Sequence, residues 1–165
     1  MTAVDFVAVG HVTLDHTPGG TRPGGAAYYA AITARRLGLR VGLLTAVGPD
    51  FPREALPADI EVVGVPSERT TTFRIARGRP GPGGGMRELA VLARATDLEA
   101  AALPGAWRDA PMGVLAPVAG EVDPAFGAAF EETSLLVLPQ GWMRQRGKGG
   151  ILSPQPWEDA ELVLP

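Results

Sequence analysis

A chain of 165 residues, 45% hydrophobic and 20% charged, is long enough for one domain with its own core and too short for two comfortable ones. A net charge of −3 with no cysteine excludes a broad basic field for a nucleic-acid backbone, a disulfide framework, a thiolate metal site and a cysteine nucleophile. Apolar runs are short and broken by Gly or Pro, and Asp5 stands in an N-terminus without a basic region, so the expectation is a soluble, cytoplasmic protein with no nucleic-acid or membrane partner.

Residues 4–9 (VDFVAV) form a β-branched and aromatic run stopped by Gly10, which predicts a buried strand. After turn chemistry at residues 21–25, residues 26–37 are Ala-rich and free of breakers. They predict a helix with Tyr28, Ile32 and Leu37 roughly along one side, ended by Arg35, Arg36 and a left-handed Gly38. Residues 40–47 (RVGLLTAV) predict a second strand. Strand, helix, strand is a βαβ unit, which implies a parallel sheet covered by helices. Residues 60–65 predict another strand, and residues 70–75 (TTTFRI), with alternating character, a half-exposed one. Residues 77–85 (RGRPGPGGG) read as a flexible turn, and residues 88–95 suit helix or strand equally. Residues 112–118 predict a buried strand, 125–132 a short helix and 135–138 a last strand. Residues 157–164 close the chain.

Several kinds of site are disfavoured. His11 and His16 are the only histidines and have no cluster of acids at ligand spacing, so no zinc site is expected. Ser67, Ser134 and Ser153 lack a nucleophile-elbow context. The glycine-rich residues 79–85 and 146–150 are not followed by Lys-Ser/Thr opening a helix, as a phosphate loop requires. No Gly-x-Gly-x-x-Gly follows the first strand, against a nucleotide-dependent oxidoreductase.

The informative stretch is residues 10–50. Gly10 ends the first strand, Asp15 follows, and Gly24-Gly25 opens the helix. In a parallel α/β sheet, strand C-termini and helix N-termini meet at one rim, where ligands bind. A carboxylate there accepts hydrogen bonds from adjacent hydroxyls, and a Gly pair lets backbone N–H groups approach a polyol. On spacing alone the simpler reading, that Asp15 caps a turn and the glycines shape a loop, stands ahead of this one.

The order Gly10-x4-Asp15, Gly24-Gly25, Leu37-Gly38 and Val47-Gly48-x-Asp50 resembles the N-terminal signature of ribokinase-like (PfkB-type) carbohydrate kinases. Thr70-Thr71-Thr72-Phe73 resembles the lid strand of that family, and Ala119-Gly120-Glu121 a substrate-side acid after a central strand. Gln140-Gly141-Trp142-Met143-Arg144 is similar to a segment of inositol-kinase-like members. The resemblance covers essentially the whole chain. It implies an α/β three-layer fold with a central, mostly parallel sheet and a small β lid. Residues 1–165 would be one incomplete domain, with lid segments at about 11–22 and 70–76 and the nucleotide half missing.

Carried over to this chain, the resemblance implies that Asp15 binds acceptor hydroxyls and that Gly24 and Gly25 line the same pocket. Glu121 and Gln140 are candidates for its wall, although a solvated strand end and a turn residue are open readings of these two. Tyr28-Tyr29 stand where ribokinases proper carry an Asn-containing segment, which favours a cyclitol or nucleoside-like acceptor over ribose. Adjacent helix positions cannot share a face, so one tyrosine is expected in the core. Asp50 is followed by Phe51-Pro52-Arg53 where the family usually has a nearby Gly, so the turn there must differ. The lid is expected to close over the acceptor and exclude water. In some members such a lid also pairs with a second subunit, so a homodimer through it is a partner the resemblance allows.

The family's chemistry sits in a C-terminal Gly-Ala-Gly-Asp segment, whose helix N-terminus stabilises the transferring group and whose Asp acts as base. The nearest string here, Gly127-Ala128-Ala129-Phe130, lacks the second Gly and the acid. The resemblance therefore implies ATP and Mg2+ for a complete member, but no catalytic residue, no good binding of either and no kinase activity for this chain alone. The competing reading is a non-catalytic carbohydrate-binding or regulatory module derived from the same fold. A parallel sheet cut through its middle exposes an apolar edge, so marginal stability is expected without a covering partner.

Overall fold

The computed structural model describes residues 3–77 and 87–162. The turn expected at residues 77–85 lies, past Arg77, outside them, as does the end of the stretch 157–164. In chain order the elements are β1 (Phe6–Val9), β2 (Thr13–Thr17), β3 (Gly20–Gly24), α1 (Ala26–Arg36), β4 (Val41–Val47) and β5 (Ile60–Pro66). Then come β6 (Thr71–Arg77), β7 (Arg87–Ala93), β8 (Met112–Leu115), β9 (Ser134–Val137), β10 (Arg144–Arg146) and β11 (Leu152–Pro154). Of the ambiguous residues 88–95, residues 88–93 thus belong to a strand.

β5-β4-β1-β8-β9, in that order, form a five-stranded sheet in which every neighbouring pair is parallel. The chain leaves β1 toward β4 and β5 and later returns to add β8 and β9 on its other side. The order therefore reverses between β1 and β8, and a crevice opens beyond the carboxyl ends of those strands. A second sheet, β3-β2-β6-β7, is mixed: β2 pairs parallel with β6 and antiparallel with β3, and β6 pairs antiparallel with β7. The small antiparallel pair β10-β11 adjoins β7 through an Ala90–Ile151 bridge.

α1 covers one face of the parallel sheet. Ala27, Ala31 and Ala34, spaced at helical intervals, are its buried residues and pack with Ala8, Leu43 and Val114. The stripe expected through Tyr28, Ile32 and Leu37 is corrected: Tyr28 and Ile32 only flank the core, and Leu37 is 75% exposed. Methyl side chains let the helix axis lie close to the sheet, so the larger residues are displaced to the sides. Gly38 takes the left-handed cap, at φ 87°.

The other face also departs from expectation, because no α-helix among the described residues covers it. Val7, Val9, Leu44 and Leu115 pack against Leu98, Leu103, Trp107, Phe126 and Trp142. Short 3-10 turns at Ala100–Ala102, Gly105–Trp107 and Pro124–Ala129 carry part of this layer. The last replaces the helix expected over 125–132. Pro104, Pro111 and Pro124 interrupt the backbone too often for longer helices. Trp107 lies flat on the sheet because Gly42 leaves room: a β-carbon at Gly42 would sit 2.9 Å from the indole ring.

Two strand expectations change as well. β8 stops at Leu115, three residues short of the predicted Val118, and Pro117 lies in the turn beyond it. Residues 70–73 are buried on both sides rather than half exposed, and their hydroxyls have partners. Thr70 Oγ1 bonds Asp50 at 2.7 Å, Thr71 Oγ1 bonds His11 Nδ1 at 2.7 Å, and Thr72 Oγ1 bonds the Thr70 carbonyl at 2.9 Å. Threonine suits a buried strand here because each hydroxyl is satisfied. Asp50 also accepts the Thr70 N–H at 2.9 Å, which fixes the turn after β4.

Candidate functional site

A cavity of about 420 Å3 lies between the second sheet and the carboxyl ends of the parallel strands. β2 supplies Thr13 and Asp15, and the start of α1 supplies Gly25, Ala26 and Tyr29. β6 and β7 add Phe73, Ile75, Arg87 and Leu89, while Val118 after β8, Gln140 after β9 and Arg144 of β10 complete the lining. It therefore occupies the switch point of the sheet.

Asp15 is partly exposed in β2, and its Oδ1 accepts a 2.8 Å hydrogen bond from Thr13 Oγ1. Thr13 pairs with Gly24 across the β2–β3 ladder, and a β-carbon on Gly24 would collide with Asp15 Oδ2. Glycine at 24 thus makes room for the carboxylate. Gly25 caps α1 at φ 98°, where a β-carbon would also strike the His11 carbonyl. Both demands exclude larger residues. α1 begins without a side-chain cap or an acid in its first turn, so its first N–H groups lack a side-chain partner beside the cavity.

Asp15, Gly25 and Gln140 are thus brought to one cavity, with Gly24 beneath Asp15. Glu121 is placed elsewhere. It is 1% exposed, and its carboxylate accepts the N–H groups of His11 at 2.9 Å, Val118 at 3.0 Å and Ala119 at 2.7 Å. Gly120 at φ 70° turns the chain so that these amides converge. His11, fully buried, sits beside it. Its Nε2 donates to the Thr96 carbonyl at 2.9 Å, so Nδ1 accepts from Thr71 Oγ1, which in turn accepts the Ala95 N–H at 2.9 Å. Burial pushes the His11 imidazole below its ordinary pKa, against the pull of the Glu121 charge.

No profile of a known protein family matches the chain. Over 70 residues it is 43% identical to a cytidine kinase of Thermococcus kodakarensis, which covers 38% of this chain and 25% of that protein. The structure of a pyrophosphate-dependent kinase in the ribokinase family, complexed with a pyrophosphate analogue and myo-inositol, superposes with a TM-score of 0.74 at 21% identity, covering 96% of this chain and 57% of that one. The fold is ribokinase-like. A nucleoside kinase of Methanocaldococcus jannaschii, of the same family, superposes at 0.55 with 18% identity over 84% of this chain and 54% of its own. The chain thus spans little more than half the length of these solved structures.

Among the described residues, no three His, Asp or Glu side chains are grouped to hold a metal ion. Of the Gly-rich residues 146–150, Arg146 ends β10 and Lys148–Gly150 form a 3-10 turn rather than the start of a longer helix.

Sequence reasoning did not assign Arg144 or the apolar wall of Phe73, Ile75 and Leu89 to the cavity. The wall has a signal, since Phe73 and Ile75 alternate on one side of β6. The tyrosines divide as expected: Tyr28 packs against the helix-side core with its hydroxyl 3.2 Å from the Ala55 carbonyl, and Tyr29 is 52% exposed at the cavity.

Proposed function

We propose that this chain is the acceptor-binding part of a kinase that phosphorylates an alcohol group of a sugar, cyclitol or nucleoside. The observation that carries the reading is Asp15 lying over Gly24 in the cavity at the sheet's switch point. Its carboxylate can take two adjacent hydroxyls, and the α1 N–H groups a third. Phe73, Ile75 and Leu89 form an apolar wall, and the Tyr29 ring offers a surface for the C–H face of a ring. Gln140 offers both a donor and an acceptor. The second sheet acts as the lid whose approach excludes water. Tyr29 at the cavity, the partial match to a cytidine kinase and the superposition on a kinase bound to myo-inositol support cyclitol and nucleoside acceptors over ribose. Because its sequence carries no Gly-Ala-Gly-Asp segment, the isolated chain is expected not to transfer phosphoryl groups.

Titration calorimetry with myo-inositol, ribose, fructose and cytidine tests this. At least one should bind, and Asp15→Asn should weaken it by ~10-fold or more, the scale of hydrogen bonds to a charged group. Failure of all four at millimolar concentration, or unchanged affinity in a folded Asp15→Asn variant, refutes the reading.

A further inference from the structure

Among the described residues the chain crosses four times between the parallel sheet and the second sheet. Residues 10–12 lead into β2, Gly25 leads out of β3, residues 67–70 lead into β6 and residues 94–96 lead out of β7. Hydrophobic contact between the two bodies is small: Phe73, Val91 and Val118 are its buried members, with Ala26 and Ala119 at the margin. The crossings therefore govern how the second sheet stands over the cavity, and polar side chains tie them together.

His11 reaches all four. Its amide is fixed to Glu121 after β8 at 2.9 Å, and the next amide, of Val12, to Thr45 Oγ1 of β4 at 2.8 Å, so this crossing is anchored on the parallel sheet. The ring points the other way. It meets the Thr71 hydroxyl at the start of β6 at 2.7 Å and the Thr96 carbonyl after β7 at 2.9 Å. Thr71 Oγ1 also accepts the Ala95 N–H at 2.9 Å, which joins the roots of β6 and β7. At the fourth crossing, a β-carbon on Gly25 would lie 2.4 Å from the His11 carbonyl. Glu121 and Asp97 favour a charged ring and Arg94 opposes it, while Asp50 holds the neighbouring Thr70.

We infer that His11 is the hinge pin of the second sheet, holding it at one angle while Nδ1 accepts from Thr71 and freeing it when that bond is lost. Neither His11 nor Thr71 lines the cavity, so the device goes beyond the acceptor reading and is independent of which ligand binds. A proton on Nδ1 breaks the bond as it stands. Nδ1 becomes a donor, Thr71 Oγ1 then faces two N–H groups, and its own hydrogen loses its acceptor inside the core, a cost that favours rearrangement. Burial keeps the ring neutral near pH 7, so the pin is engaged there and is released on acidification.

The chain has no cysteine, so Thr21→Cys in β3 and Arg36→Cys in α1, both exposed, take spin labels at those two sites alone. Pulsed double electron–electron resonance on the full chain then reads the distance between the second sheet and the helix that packs on the parallel sheet. At pH 7.5 the labelled parent should give one narrow distribution. Thr71→Val deletes the hydroxyl and should add a population displaced by more than about 2 Å, the scale of hinge movements. As pH falls, the parent should gain the same population before circular dichroism shows unfolding. His11→Asn keeps an acceptor for Thr71 and does not titrate, so it should stay narrow over that range. If Thr71→Val does not fold, the comparison of parent and His11→Asn carries the test. An unchanged distance in folded Thr71→Val, or the same pH response in the parent and His11→Asn, overturns the inference. Neither result bears on polyol binding, which the calorimetry above decides.

Discussion

Glu121 joins two strand ends through its side chain. The His11 amide follows β1, and the Val118 and Ala119 amides follow β8, so one carboxylate ties the two strands that flank the crevice. Removing it leaves buried N–H groups without partners. Glu121→Ala is therefore expected to cost about 3 kcal/mol or more, read from urea denaturation, with Glu121→Gln intermediate because one oxygen still accepts. His11 gives a pH signature. Its folded pKa lies below the ordinary 6.5, chiefly through desolvation. Between those two values the unfolded chain holds the proton and the folded chain does not. Stability is fully present above pH 6.5 and is lost as pH falls through the folded pKa. A denaturation series from pH 7.5 downward should show this loss, and His11→Asn should flatten that part of the slope. The roles of Glu121 and His11 were not legible in the sequence, because nothing local shows that the turn at 117–120 aims its amides inward. Asp15 and Gly25 were candidates from order and spacing and Gln140 from the family resemblance, and the structure brings these three to one cavity.

Among the elements, β1, α1 and β4 were legible because an uninterrupted apolar run and a breaker-free Ala-rich run each admit few solutions. The layer opposite α1 was not. Its residues come from 3-10 turns and loops with no periodicity, and among them Trp107 is fully buried against Gly42. Trp107 is the largest fully buried side chain among the described residues, and its indole N–H has no partner among them. Trp107→Ala is expected to cost about 3–5 kcal/mol, the range for emptying an aromatic site. Trp107→Phe should cost clearly less, since it keeps a ring and deletes the unpaired donor. Thermal melts of both variants check the order, and equal losses would show that the indole's size alone matters. β6 misled for a related reason. Its threonines look half exposed in sequence, and only their partners in the connections, His11, Thr70 and Ala95, show why they can be buried.

At the scale of the molecule, β9 borders the parallel sheet with one side unpaired among the described residues, and its Leu136 is 58% exposed on the face that α1 only partly covers. An open parallel edge with an exposed leucine favours association. Sedimentation velocity should show weight-average mass rising with concentration, and Leu136→Lys should lower it; a concentration-independent monomer would remove this expectation. The sequence by itself determined the parallel α/β half, because chain sterics and hydrophobic period act locally, whereas the tertiary structure decided that Asp15 lines a cavity. Tertiary structure alone decided that Glu121 turns inward, that Tyr29 and Arg144 reach the cavity, and that turns cover the second face. Those outcomes depend on segments far apart in the chain meeting beyond the ends of β1 and β8, and no local pattern encodes such a meeting.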